Sequence, residues 1–171
     1  LLSVYYHACC GGHTESAARA LGGEAPPPLW GVKDLYCYDS PLRSWKVFFS
    51  YTQLLNALLK DRLSGEPLKR FEIARLDIAG YVTHFVARVG DETLRVKASE
   101  LRAALGGTLL RSVRIARLKK MRKGVEFWGH GAGHGVGLCQ WGARLQADRR
   151  RKYEQILAFY FPGATLSVID Q

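Results

Sequence analysis

The chain has no long apolar run. None of its hydrophobic stretches approaches the ~20 residues that a helix needs to cross a bilayer, so no membrane-spanning segment is predicted. Residues 1–6 also lack the charged start and the small-residue cleavage site of a signal peptide, and their alternation is typical of a strand. Because the first residue is leucine, we expect the chain to be cut from a longer protein.

The chain has few acidic residues relative to basic ones. The 171 residues include 25 Lys and Arg against 15 Asp and Glu, which gives a formal net charge of +10. That balance favours a polyanionic partner such as nucleic acid, an anionic membrane surface or the cell wall. The sequence contains no RNP motif, zinc-finger spacing or recognition-helix pattern, so sequence-specific binding of nucleic acid is not expected.

The hydrophobic pattern predicts the fold class. Repeats are absent, and a hydrophobic content of 47% in this length predicts one core, hence a single domain over residues 1–171. Residues 71–78, 82–89 and 93–96 predict an antiparallel meander. A capping box at Ser50 and Gln53 predicts the start of one helix, and Ser99 is predicted to cap another, over residues 100–105. Together these patterns predict an α+β domain, mainly antiparallel sheet with several short helices.

Residues 127–143 hold the most unusual chemistry of the chain. Five glycines fall within residues 129–137, a density that implies positive φ angles or a close approach of the main chain to another group. His130 and His134 are set among them, and a helix is predicted from Gln140 to Asp148. The N–H groups at its start would favour an anionic or hydroxyl-rich ligand. The alternative is a glycine-rich turn whose histidines satisfy local carbonyls.

A second cluster of potential ligands lies near the start of the chain. Its members are His7, Cys9, Cys10 and His13, with Cys37 further on. A turn at the intervening glycines would let His7, Cys10 and His13 converge, and Cys37 could complete a tetrahedral zinc site. With four protein ligands, such a zinc ion would be structural.

Two other interpretations of these cysteines stay open. In an oxidising compartment, Cys10 and Cys37 could form a disulfide that closes a loop of about 27 residues and stabilises the fold by about 3 kcal/mol. Alternatively, the thiols are buried and inert. Cys139, inside the glycine-rich stretch, is interpreted as a small buried hydrophobe.

Three stretches of the chain resemble one family. Residues 131–143, Gly-Ala-Gly-His-Gly-Val-Gly-Leu-Cys-Gln-Trp-Gly-Ala, resemble the signature of the SpoIID/LytB domain. Residues 7–15 resemble its Ser-Thr-x-Gly-Gly-x-Thr-Glu segment, and residues 153–163 resemble its C-terminal helix and the approach to its closing strand, expected at residues 165–169. His130 departs from the pattern, because an arginine is more usual there. The resemblance covers nearly the whole chain and implies a SpoIID-like fold.

The resemblance implies action on bacterial peptidoglycan outside the cytoplasm. SpoIID-like members are lytic transglycosylases that cleave glycan strands, LytB-like members enhance a separate wall amidase, and some members carry a zinc ion beside the segment that residues 7–15 resemble. Cleavage of a glycosidic bond requires a general acid. The family's catalytic glutamate precedes the strand that ends at His7, and the chain has no equivalent. We expect it, and any membrane anchor, in a preceding segment.

The catalytic residue therefore stays unassigned, and we expect this chain to form the floor of a sugar-binding cleft. His134 and Gln140 would bind or polarise sugar hydroxyls, with Glu15 as a further carboxylate nearby. This expectation requires residues 7–15 and 131–137 to meet in space.

Glycan would be bound by glycine main chain and by aromatic rings. Gly133 and Gly135 would let the backbone approach the sugar, and Trp128 or Trp141 would stack on a ring. Each tryptophan also suits a buried hydrophobic anchor.

Two further functions stay open. One is a module that binds cell-wall glycan or a partner amidase without reacting. The other is a zinc-dependent wall amidase, in which three protein ligands would leave room for a metal-bound water.

Overall fold

The computed structural model describes residues 1–59 and 65–167. The strands are β1 (Tyr6–His7), β2 (Ser44–Ser50), β3 (Leu68–Leu76), β4 (Val82–Val89), β5 (Glu92–Lys97), β6 (Ile115–Met121), β7 (Gly124–His130) and β8 (Leu138–Cys139). The helices are α1 (Ala17–Leu21), α2 (Tyr51–Leu59), α3 (Ala98–Leu105), α4 (Gln140–Asp148) and α5 (Tyr153–Tyr160). This mixture of small, mainly antiparallel sheets and short helices confirms the predicted α+β class.

The chain divides into two compact units. Unit 1 comprises Leu1–Arg43 and Gly131–Gln171, and unit 2 comprises Ser44–His130. The predicted single domain stays a prediction. Among the described residues, none of the helices has both the length and the apolar character needed to cross a bilayer.

Unit 2 contains two three-stranded antiparallel sheets. In one, β7 lies between β2 and β6; in the other, β4 lies between β3 and β5. The second sheet confirms the predicted meander. Both central strands bury alternate side chains in one core, where the rings of Phe85 and Phe127 are fully buried and Phe71 stacks on Phe85.

Capping signals in the sequence predict where α2 begins but not where α3 begins. The predicted capping box before α2 is present: Ser50 N–H donates to Gln53 Oε1, and Gln53 N–H donates to Ser50 Oγ. The predicted cap of α3 is wrong, because the helix begins at Ala98 with Lys97, not Ser99, in the N-cap position. Ala98 is fully buried in the core, and that packing extends the helix by two residues.

Unit 1 combines both ends of the chain. Its β1 pairs in parallel with β8, and a core of buried side chains includes Val136, Ile156 and Tyr160. The strand predicted at residues 165–169 is not found over residues 165–167, and residues 168 and 169 lie outside the described part of the chain. The predicted bounds of α4 are confirmed.

Candidate functional site

The two stretches that resemble the family meet in unit 1. His7 lies opposite Cys139 in the β1–β8 pair. Further along, Cys9 and Ala132 exchange both backbone hydrogen bonds, at 3.0 and 2.7 Å, and Glu15 N–H donates to Gly135 O at 2.8 Å. Residues 7–15 and 131–137 therefore run alongside each other, as the cleft hypothesis requires.

This close contact depends on glycine. Gly131 has a φ of 76°, and a Cβ built there would lie 2.5 Å from the carbonyl oxygen of Cys9. At Gly133, with a φ of 109°, a Cβ would lie 2.8 Å from the Cβ of His7. A side chain at either position would both strain the backbone and collide with the neighbouring segment.

Val136 fixes the orientation of two histidine rings. Its carbonyl accepts a hydrogen bond from His7 Nδ1 at 3.1 Å, and its N–H donates to His134 Nδ1, also at 3.1 Å. Because a carbonyl only accepts and an amide N–H only donates, neutral His7 carries its proton on Nδ1 and neutral His134 carries it on Nε2. The rings lie 5.8 Å apart, centroid to centroid.

His7 is held neutral in this position. Burial lowers its pKa from 6.5 to about 4, with nearby His134 adding to the effect and the Val136 bond opposing it. Its Nε2 is enclosed and has no hydrogen-bond partner among the described residues. The ring therefore presents a buried acceptor, which is the form that a metal ion or a hydroxyl group could use.

Glu15 supplies a buried carboxylate to the same region. Its Oε1 accepts a hydrogen bond from Ser16 N–H at 2.6 Å and lies 3.8 Å from an Arg19 guanidinium nitrogen. The Glu15 residue is only 4% exposed. Ser16 and Arg19 thus place a hydrogen-bond donor and a positive charge beside this carboxylate.

The remaining predicted binding residues have different surroundings. Gln140 is exposed at the first position of α4. Trp141 is partly buried beside it, with the Arg144 guanidinium 5.0 Å from the centre of its ring.

Trp128 belongs to unit 2, on β7. Its Nε1–H donates to Glu126 at 2.8 Å, and the side chains of Lys46 and Arg117 approach its ring from the two adjacent strands, at 5.1 and 5.4 Å. Through these contacts, the indole packs against charged side chains of its own three-stranded sheet. Sugar binding by either tryptophan stays a prediction.

A buried group of four side chains can hold a metal ion. Its members are Cys10, Asp34, Cys37 and Cys139. The potential ligand atoms all lie within 4.8 Å of one another, and Cys10 Sγ lies 3.3 Å from both Cys37 Sγ and Asp34 Oδ2. Cys10 and Cys37, two of the four predicted ligands, thus lie together, and their neighbours in this group are Asp34 and Cys139 instead of His7 and His13.

The two histidines make other contacts. His7 Nδ1 bonds to Val136 O, as described above, and His13 Nδ1 lies 2.7 Å from the carbonyl oxygen of Thr14. Neither lies in the compact group, although the negative charge of Cys37 is close enough to influence the pKa of His7.

Backbone N–H groups and one hydroxyl hold this Cys–Asp cluster in place. Cys139 is the N-cap of α4, and its Sγ accepts from the N–H groups of Gly142 and Cys10. Tyr160 O–H donates to Asp34 Oδ2 at 2.8 Å. At Gly142 a Cβ would overlap both the Tyr160 hydroxyl and the Asp34 carboxylate, so glycine is required for this helix to approach.

The acid–base properties of the Cys–Asp cluster favour a cation. A hydrogen bond from Cys10 lowers the pKa of Cys37 far below its ordinary value, whereas burial raises the pKa of Asp34 and the hydrogen bond with Cys10 raises that of Cys139. Without a cation, the cluster therefore accommodates little negative charge. A bound divalent ion would balance several ionised ligands at once.

Two members of the Cys–Asp cluster were not anticipated as ligands. Cys139 is buried as predicted, but it contacts the other thiols instead of only filling space. Asp34 was not considered, although it lies three residues before Cys37 and so on the same local turn. The sequence does not show that both positions meet Cys10. For Cys139 this contact depends on the pairing of β1 with β8.

Comparison with known proteins identifies relatives over most of the chain, although no protein-family model matches it. An uncharacterized protein of Brachyspira hyodysenteriae is 33% identical over 97% of this chain and 43% of its own length. Stage II sporulation protein D of Bacillus amyloliquefaciens is 27% identical over 93% of the chain and 43% of its own.

The amidase enhancer of Bacillus subtilis is 40% identical over 75 residues, which are 44% of this chain and 10% of the relative. The chain thus spans less than half the length of each of these relatives. The chain is thus homologous to the amidase enhancer and to stage II sporulation protein D, which confirms the predicted resemblance to the SpoIID/LytB family.

Proposed function

We propose that this protein acts on bacterial peptidoglycan and that unit 1 takes part in lytic transglycosylation of glycan strands. The observation that carries the proposal is the convergence of Glu15 with the glycine-rich stretch that contains His134, more than a hundred positions further along the sequence. The basic chain, with a net charge of +10, suits the anionic bacterial wall, so we place the protein outside the cytoplasm.

The side chains have complementary roles in this proposal. His134 Nε2–H would donate to a sugar oxygen, because Val136 N–H occupies its Nδ1. The Glu15 carboxylate would take the proton of the sugar 6-hydroxyl, or stabilise the positive charge that develops on the ring. The proposal assigns no described residue as the acid that protonates the leaving oxygen.

Mass spectrometry of digested glycan tests this function. The purified full-length protein is incubated with isolated peptidoglycan sacculi, and the soluble products are analysed. Fragments that end in 1,6-anhydro sugars are expected. Hydrolysed reducing ends, or cleaved amide bonds, would contradict transglycosylation.

Amidase enhancement is a second candidate. The specific observation that favours it is the 40% identity to the amidase enhancer over 75 residues. In that case the protein would bind sacculi without changing them, yet would raise the rate at which an added wall amidase releases peptides. An unchanged amidase rate would exclude this function.

We also propose that the Cys–Asp cluster binds structural Zn²⁺. Three sulfur ligands and one oxygen ligand match the preference of zinc for a tetrahedral site, and the spacing of the donor atoms is close to that of such a site. A bound zinc ion would supply crosslinking of the chain and charge balance, not a reacting group, because four buried protein ligands leave no position for water. This arrangement favours a structural ion over the zinc amidase hypothesis.

Metal content and thiol content distinguish the alternatives. The Cys10→Ala variant should lose its zinc and melt at a lower temperature. Cys9→Ala removes a buried thiol that contacts Cys37 and Cys139 but is not one of the four ligands, and this variant should keep the metal. A wild-type protein with no zinc and two fewer free thiols would instead establish the Cys10–Cys37 disulfide, since these sulfur atoms lie 3.3 Å apart.

A further inference from the structure

Unit 2 contains a groove between its two sheets. The groove encloses about 470 Å³ and is lined by residues 68–73 of β3, by Leu118 and Lys120 of β6, and by Val125 of β7. Tyr51 closes the end near Met121, whose carbonyl accepts a hydrogen bond from the tyrosine hydroxyl. The whole groove lies within one compact unit.

Both strands that border the groove are edge strands. β3 is the outer strand of one sheet and β6 of the other, and no backbone ladder joins them in the part of the chain that the structure describes. Nearby, Val82 N–H donates to Val113 O at 2.8 Å, which ties the start of β4 to the segment before β6. Edge strands present unpaired N–H and C=O groups, which pair readily with another extended chain.

The walls of the groove are apolar at the base and charged at the rim. Phe71, Ile73 and Leu118 are partly buried against the core and form the base. On the rim, Lys69 pairs with Asp91, and Arg70 pairs with Glu72 at 2.7 Å. Lys120 makes no ion pair with any carboxylate of residues 1–59 or 65–167.

We propose that this groove binds an extended acidic segment of a partner protein by strand addition. The segment would lie between β3 and β6, so that its main chain completes one or both edges and alternate apolar side chains face the core. Six residues of β3 span ~20 Å, which sets the length of the segment at about five or six residues. A carboxylate of the segment would pair with Lys120.

The binding of two capped pentapeptides tests the proposal. One is acetyl-Thr-Val-Thr-Glu-Thr-amide, whose valine and glutamate side chains lie on the same, groove-facing side of the strand, and the other has lysine in place of glutamate. Titration into isotope-labelled protein should shift the backbone amide signals of β3 and β6, with the glutamate peptide binding about fivefold more tightly, the upper range for an exposed ion pair. The same peptide methylated on alternate backbone nitrogens should not bind, because it cannot complete a strand edge.

Variants on β6 provide the matched control. Lys120→Glu should reverse the preference to the lysine peptide. Lys119→Glu changes an exposed charge that lies opposite Glu126, on the other face of the same strand, and should leave the preference unchanged. Absence of binding at millimolar peptide, equal affinity for both peptides, or equal effects of the two variants would overturn the proposal. Concentration-dependent dimers that Lys120→Glu disrupts would also overturn it, since the occupant would then be a second copy of this chain.

Discussion

His7 and Val136 are joined by a hydrogen bond of 3.1 Å across 129 positions of sequence. The same Val136 orients His134 through its N–H group, so a single backbone residue fixes both rings of the candidate site. Both of these hydrogen bonds are made with main-chain groups. The site is therefore assembled from main-chain geometry, which the surrounding glycines make possible.

Stability should depend on pH through His7. Burial lowers the folded-state pKa to about 4, below the ordinary 6.5. As pH falls through this window, the unfolded chain takes up a proton that the folded chain does not, so stability is lost, by up to about 3 kcal/mol. Urea unfolding between pH 7 and 4.5 should show a smaller loss for His7→Gln, whose amide can still donate to Val136. Parallel curves for the two proteins would show that His7 is not the responsible group.

Gly131→Ala should destabilise the protein more than Gly163→Ala. Both glycines have positive φ angles, 76° and 82°, so both variants carry the backbone cost of about 1 kcal/mol. Only at Gly131 does the new Cβ meet the rigid backbone of Cys9 and Cys10; Gly163 has open space around it. We expect a loss of about 3 kcal/mol for Gly131→Ala in chemical unfolding. Equal losses for the two variants would argue against close packing of these segments.

Gly142→Ala should be destabilising, although alanine ordinarily stabilises a helix by about 1 kcal/mol relative to glycine. The reason is overlap of the new methyl group with the Tyr160 hydroxyl and the Asp34 carboxylate. Zinc affinity should fall as well, because Asp34 must move. Tyr160→Phe removes the colliding hydroxyl, so the double variant should recover part of the lost stability in a double-mutant cycle. Additive losses would contradict this explanation.

Glu15→Gln should reduce the formation of 1,6-anhydro ends by about 100-fold, the lower range for loss of a general acid or base. The substitution keeps the size of the buried side chain and the hydrogen bond from Ser16. Glu24→Gln, at an exposed position of the same unit, should retain full activity. If both variants react at the wild-type rate, Glu15 is not a catalytic group.

Local patterns predicted most of the fold. The capping box at Ser50 and Gln53, the meander of β3 to β5 and the bounds of α4 all rest on signals within about ten residues, and all are found. The start of α3 was missed because burial of Ala98 outweighs the preference of Ser99 for a cap position. Tertiary packing decided that boundary.

Less of the candidate site could be predicted from the sequence. The resemblance to a family predicted that residues 7–15 and 131–137 lie close together in space. The spacing of these residues in the sequence does not predict this. Predicting the members of the Cys–Asp cluster requires knowing which thiols converge, and Cys139 meets Cys10 only because β1 pairs with β8. Asp34 joins them through a turn that carries no distinctive motif.

Unit 1 is formed by two separate parts of the chain, and this affects the order in which the protein folds during synthesis. All of unit 2, residues 44–130, emerges from the ribosome before residues 131–160. The N-terminal part of unit 1 cannot pack until residues 131–160 have been synthesised. We therefore expect unit 2 to fold first. Cys10 and Cys37 would stay exposed to solvent until α4 has been synthesised and packs over them. Nascent chains stalled before residue 131 should therefore expose both thiols to alkylating reagents, and released chains should protect them.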